Sequence, residues 1–291
     1  MTIFSAQDPI ANQPYIAING AMVSNDATSP NNIIDISAGL FRDSTNTFDI
    51  NLGNWFGEIP AISAGTSIIN GFQTPQPPFT PNNVTFINGL VNGALGLDTG
   101  TLAASSLYYI HGIFDESGVN APSALISLSR TAPYLPGLPG NYTNFRWIGQ
   151  MATNSAIHFL PGYNHGAQNE RLFYYDAPQP TAITAGHSTA YANVNLTGLV
   201  PAINNIPVWI NVVFTAAAAG DTVTFQPGNG TGAGVVITAP VAGATAPVTQ
   251  NILVMAQLVT IAGIPSPVIN YKLTAAGDSV AINVIGYQYS L

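Results

Sequence analysis

Apolar residues in this chain recur at every second position, in short runs that glycine and proline keep interrupting. Ile269, Tyr271 and Leu273 share one parity, with Asn270 and Lys272 between them. Val280, Ile282 and Val284 repeat the pattern, as do Thr222–Gln226 and Asn193–Thr197. A period of two places alternate side chains on opposite faces of a strand; a helix would need a period near 3.6. With 28 glycines and 22 prolines spread along 291 residues, few windows could hold a regular helix. The expected fold is therefore all-β, built from β-sandwich or jelly-roll-like domains with minimal helix.

Turn signals such as Ala219-Gly-Asp221, Pro227-Gly-Asn-Gly230 and Ala276-Gly-Asp278 divide the runs. They mark out three regions. Residues 1–102 are read as an N-terminal β module, with strands near Tyr15–Ile18, Asn32–Ala38, Thr47–Leu52 and Val84–Asn88 and a proline-rich loop at Thr74–Pro81. Residues 103–180 form a central β module with strands at Leu107–Phe114, Ala124–Ser129, Phe145–Ala152, Ala156–Leu160 and Arg171–Asp176. Residues 181–291 read as a C-terminal jelly-roll-like sandwich of about seven strands, with Pro178-Gln-Pro180 as the linker.

Charge narrows the function. Only 6% of residues are Asp, Glu, Lys or Arg, against about 25% in ordinary soluble chains. Lys272 is the sole lysine, and the arginines are Arg42, Arg130, Arg146 and Arg171. Such a chain has no basic patch for a phosphate backbone or an anionic membrane, so neither nucleic acid nor membrane is expected as a partner. Its polar surface must come from Asn, Thr, Ser, Gln and backbone. Cysteine is absent, which removes disulfides and thiolate metal sites. The first residues, Met1-Thr-Ile-Phe-Ser-Ala-Gln-Asp8, lack the basic and apolar regions of a signal peptide. Surface chemistry of an extracellular kind without that signal is expected of a virion protein made in a host cytoplasm and released by lysis.

No constellation for catalysis stands out, and no catalytic, cofactor or metal residue is assigned. Leu97-Asp98-Thr99-Gly100 matches the core of an aspartic-protease site, but that chemistry needs two such carboxylates sharing a proton. One copy among turn residues is expected to cap a turn. Asp115-Glu116 reads as a solvated turn, with a calcium site as the alternative. His111, His158, His165 and His187 follow no metal-ligand spacing, although the loop between His158 and His165 leaves that pair open. Aromatics on strand-like runs are more informative. Tyr108, Trp147, Tyr175 and Tyr287 are the candidates, either for stacking on a sugar or for filling a core or subunit interface.

Several stretches carry a resemblance: Asn19–Asn25, Phe41–Ile50, Gly93–Ala104, Tyr108-Tyr-Ile-His-Gly-Ile-Phe-Asp115, Ala124-Leu-Ile-Ser-Leu-Ser-Arg-Thr-Ala-Pro-Tyr-Leu-Pro136 and Asn141-Tyr-Thr-Asn-Phe-Arg-Trp-Ile-Gly149. In order and spacing over residues 15–176 they resemble a family of tailed-bacteriophage virion proteins, found among tail-fibre-associated and accessory structural components. Arg130 departs from the pattern, standing where a small residue is usual, as does Phe145-Arg-Trp147. The resemblance implies a non-enzymatic head or tail fibre, decoration or adaptor protein located in the virion, with other virion proteins as partners. Self-association is expected because a surface with few ions offers little repulsion between copies; a homotrimer is the best single number, by analogy with viral fibres. The alternative is a receptor-binding module that recognises a host-surface glycan. A pilus subunit would need an export signal, and a depolymerase would need a carboxylate pair in a groove.

Overall fold

The computed structural model describes residues 19–45, 47–52, 66–69, 72–75, 84–117, 119–135, 142–166, 170–228, 230, 234–241 and 247–290. Among these the fold is all-β, with large antiparallel sheets and no helix. No helix of the described residues is long and apolar enough to cross a membrane. The expected strand at Tyr15–Ile18 and most of the Thr74–Pro81 loop lie outside the described residues. The chain divides into two compact units. One holds residues 1–104 and 108–171 with the last two residues; the other holds 105–107 and 172–289.

In the first unit the strands are β1 (Asn19–Gly20), β2 (Val23–Asn25), β3 (Ile33–Ser37), β4 (Gly39–Arg42), β5 (Asp49–Leu52), β6 (Thr66–Ile69), β7 (Phe72–Pro75), β8 (Val84–Asn88), β9 (Leu107–Asp115), β10 (Ser123–Ser127), β11 (Tyr142–Ala152) and β12 (Gly162–His165). They form sheets ordered β1-β4-β5, β10-β9-β11 and β12-β2-β3-β8, with β6 and β7 as a separate pair. The segment before residue 102 is tied to strand β10. Leu95 and Asp98 donate backbone hydrogen bonds to the carbonyls of Ala124 and Ile126 at 2.8 Å each, and Leu97 bridges Ile126 in parallel. Gly112 has no side chain because the Phe41 ring lies against it; any Cβ there would collide with that ring. The expected strand at Ala156–Leu160 is instead a turn. Asn154 Oδ1 accepts from the N–H groups of Ala156 and His158, and Ile157 adopts φ +65°. Side-chain capture of the backbone by asparagine won over a weak alternation.

The second unit begins within β13 (Glu170–Tyr175) and continues with β14 (Thr181–Gly186), β15 (Ala192–Asn195), β16 (Ile206–Thr215), β17 (Thr222–Pro227), β18 (Val235–Thr238), β19 (Val248–Ile261), β20 (Ile264–Leu273) and β21 (Ser279–Ser290). Its pairings give one sheet ordered β14-β21-β16-β19 and a second ordered β15-β20-β17-β18, all antiparallel, and β13 is also hydrogen-bonded to β21. Eight strands alternating between two four-stranded sheets in this way make a jelly-roll sandwich. One strand serves both sheets: Val248–Phe214 through Ala256–Ile206 pair β19 with β16, whereas Gln257–Ile261 pair with β20. The turn after it, Ala262-Gly263, has φ of +50° and +83°, the backbone of a tight hairpin between Ile261 and Ile264.

Every second residue of β16 is buried: Ile206, Val208, Ile210, Val212 and Phe214. On β21 the buried set is Val280, Ile282 and Val284, then Tyr287 and Tyr289. The parity changes because Trp209 pairs with Gly286 while Ile210 pairs with Val284, leaving Ile285 as an extra residue in the ladder. A β-bulge of this kind turns all later side chains to the other face.

Candidate functional site

Three of the four candidate aromatics lie inside the protein. Tyr108, Tyr175 and Tyr287 are 1%, 4% and 0% exposed, so their rings are covered by the protein itself. The Tyr108 hydroxyl accepts the Ala103 N–H at 2.7 Å, and burial pushes its phenol above the ordinary value. Tyr175 and Tyr287 belong to a cluster in the second unit. Phe173 stacks on Tyr287 at 5.3 Å between centroids and meets Tyr175 edge-on at 4.8 Å. The Tyr175 hydroxyl donates to the Leu199 carbonyl at 2.6 Å, and burial again raises its pKa. Trp147, the fourth, is half-buried. Its indole N–H donates to the Gly149 carbonyl at 2.7 Å, the Tyr109 ring meets it edge-on at 5.7 Å, and the Arg130 guanidinium lies 5.8 Å over its face. The structure does not bring these four rings to one surface.

Acidic side chains mostly organise backbone. Asp43 is buried. Its carboxylate accepts the N–H groups of Thr45, Thr47 and Phe48 and the Thr45 hydroxyl, and Arg146 donates to its carbonyl at 3.3 Å. Burial pushes this carboxyl up, but the hydrogen bonds from Thr45, Phe48 and Thr47 outweigh it and leave the pKa below the ordinary value. Asp115 accepts from the Ser117 hydroxyl and N–H and from the Asn120 side chain and N–H. The Ser117 hydroxyl is the chief cause of its lowered pKa, followed among the lowering groups by Asn120. Those positions around Asp115 are filled by donors, which is the opposite of what a calcium ion requires. Asp278 accepts from Ala217 and Ala275, Asp221 from Ala218, and Asp26 from Thr28 and Ser29. Asp98 does not cap its own turn; it accepts the Tyr134 N–H at 2.9 Å.

Among the described residues no three His, Asp or Glu side chains gather in a way that could hold a metal. His111 is enclosed in the first unit, with Nε2 donating to the Ser129 carbonyl at 2.9 Å and the Phe145 ring 5.8 Å away. Its Nδ1 has no hydrogen-bond partner, and burial pushes its pKa down to about 4.

In the second unit the outer faces of the two sheets differ. On β16 the outward residues are Pro207, Trp209, Asn211, Val213 and Thr215, of which the first four pair across β19 with Met255, Leu253, Asn251 and Thr249. Leu253 is 46% exposed and Met255 36%. The Tyr174 ring lies 6.4 Å from Trp209. Asn211 donates to Asn251 at 2.8 Å and pairs in register with Asn283 on β21, which accepts from Thr181 on β14 at 2.8 Å. No Asp, Glu, Lys, Arg or His occurs in β14, β16, β19 or β21. The other sheet turns outward Asn193, Thr222, Thr224, Thr238, Val236 and Lys272. The Lys272 ammonium lies 5.7 Å over the Tyr191 ring, which is 46% exposed.

No protein-family model matches the chain, and no curated protein matches it. Among solved structures it is similar to a carbohydrate-binding module of lichenase 5A from Cellvibrio mixtus, solved with cellotriose. The identity is 17% over 43% of this chain and 86% of that one, with a TM-score of 0.21. It is also similar to the mosquito-larvicidal Cry4Aa toxin of Bacillus thuringiensis, at 6% identity over 95% of this chain and 52% of that one, with a TM-score of 0.23.

Trp209, Leu253 and Met255 are absent from the candidates drawn from sequence, and Tyr174 lies in the aromatic run Phe173-Tyr-Tyr175 that supplied Tyr175. The signal for Trp209 lies in the run Ile206-Pro-Val-Trp-Ile-Asn-Val-Val-Phe214, where the indole falls on the parity opposite to the buried residues. Leu253 and Met255 likewise alternate with Ile252, Val254 and Ala256.

Proposed function

We propose that this chain is a non-enzymatic structural component of a virus particle, of the tailed-bacteriophage kind, that works by homo-oligomeric assembly, with a trimer as the expected number. The observation that supports the non-enzymatic part is the use made of six of the carboxylates. Asp26, Asp43, Asp98, Asp115, Asp221 and Asp278 each accept backbone N–H groups and brace the turns. Acid–base catalysis of glycoside or peptide cleavage needs carboxylates directed at a substrate. The virion assignment is supported by the segment order over residues 15–176 and by a charge content that suits protein-to-protein burial. Antibody-labelled electron microscopy of purified particles, together with light scattering of the purified chain, tests this reading. Labelled particles and a stable multimer are expected; unlabelled particles and a monomer would reject it.

A second reading, recognition of a host-surface glycan, is favoured by one feature: the exposed Tyr191 ring beside Lys272, next to the Asn193 and Asn195 positions of β15. An exposed ring flanked by amide side chains can stack on a sugar and hydrogen-bond its hydroxyls. Titration with oligosaccharides should then lose its signal in Tyr191→Ala.

A further inference from the structure

We propose that the outer face of the β14-β21-β16-β19 sheet is the surface through which copies of this chain join, with Trp209, Leu253 and Met255 as its apolar centre. This rests on the assembly reading above and names the surface and the partner. A sheet face that ends in water normally carries polar and charged residues between its buried ones. The opposite sheet does so, with Thr222, Thr224, Thr238, Asn193 and Lys272 around the outward Val236. This one presents Pro207, Trp209, Val213, Leu253 and Met255 instead, with Tyr174 beside the indole. Aromatic residues and methionine are enriched and Lys, Asp and Glu depleted at the centres of protein interfaces, which is the composition found here.

Charge and area both point to a second copy of the same chain as the occupant. The four strands hold no Asp, Glu, Lys, Arg or His, so two such faces, or this face and another neutral surface of a neighbouring copy, meet without like-charge repulsion. The polar atoms that would be covered are already partly satisfied within the face: Asn211 bonds Asn251, and Thr181 bonds Asn283. Burying them leaves fewer groups without partners. Four strands about 4.8 Å apart and about nine residues long at about 3.4 Å each give a flat footprint on the order of 600 Å². That is comparable to the roughly 800 Å² per partner of an ordinary stable interface.

The test uses the full chain. Wild-type protein should scatter light as a multimer of the 30.3 kDa chain. Leu253→Lys/Met255→Lys should weaken association by about 30-fold or more, the effect of one lost hot-spot side chain. Val236→Lys, on the outer face of the other sheet, should leave it unchanged. Because the chain has no cysteine, Met255→Cys and Val236→Cys each supply a single thiol, a readout that does not depend on a disruptive variant. The thiol at 255 should label at least tenfold more slowly at high protein concentration than after dilution, while the thiol at 236 labels at one rate. A multimer that survives the double lysine variant, with position 255 labelled equally at both concentrations, would overturn this surface and leave the assembly reading standing. A wild-type monomer would overturn both.

Discussion

The Asp98 carboxylate accepts the backbone N–H of Tyr134 at 2.9 Å, across 36 residues of chain. The bond tethers the loop after β10 to the segment that runs beside that strand. It also gives the one Asp-Thr-Gly triplet a mechanical role. Asp98→Ala should lower stability by about 1 kcal/mol, since the bond is exposed. Asp98→Asn keeps an acceptor and should cost less. Chemical denaturation of the two variants beside wild type measures the difference.

Asp35, on β3, has a carboxylate oxygen, Oδ1, without a hydrogen-bond partner. Burial, then the charge of Asp26, pushes its pKa up to about 6. The folded protein thus holds this proton at pH values where the unfolded chain has released it, and stability falls as pH rises from about 4 to 6. Asp35→Asn should therefore stabilise the protein above pH 6 and change nothing near pH 3.5. Its half-buried position lets solvent screen the charge, so the gain should be about 1 kcal/mol rather than the full linkage value. Thermal unfolding at the two pH values gives the result.

His111 acts in the opposite direction. Enclosure pushes its pKa down to about 4, while the unfolded chain takes up the proton near 6.5. Between these values the unfolded state binds more protons, so stability is lost as pH falls from 6.5 to 4 and is unchanged by this group above 7. The full effect is about 3 kcal/mol. Because Asp35 titrates in the same window with the other sign, the slope is best read in the Asp35→Asn background, where urea unfolding midpoints should rise steadily from pH 4 to 6.5. A flat profile there would contradict the enclosed imidazole.

Gly286 lies under the main chain of Phe173, and a Cβ built on it would collide with the Phe173 carbonyl oxygen. Gly263, in the hairpin turn, has nothing within 4 Å. Gly286→Ala should cost about 2 kcal/mol or more through forced displacement of β13. Gly263→Ala should cost about 1 kcal/mol, from its φ of +83° alone. Paired denaturation curves, with near-ultraviolet circular dichroism reporting on the Phe173, Tyr175 and Tyr287 rings, distinguish a steric from a backbone effect.

What the sequence determined by itself was the all-β class and much of its strand layout. The run Val84–Asn88 became β8 with the same limits, and the alternation of Val280, Ile282 and Val284 became the buried face of the first half of β21. Period-two patterning and turn residues act over a few neighbours, so they are readable without knowing what lies opposite. Where a strand switches the parity that faces the core came from how the strands meet in space. The extra residue at Ile285 carried Tyr287 and Tyr289 into the core with Val280, Ile282 and Val284, although their parity in the sequence differs. Trp209, on a run whose alternation is unbroken, was left half-buried on the outward face beside Leu253. Asp98 found its partner 36 residues away. A bulge, a sheet pairing and a long-range hydrogen bond are set by strands that meet in space, and no local window of residues contains that information.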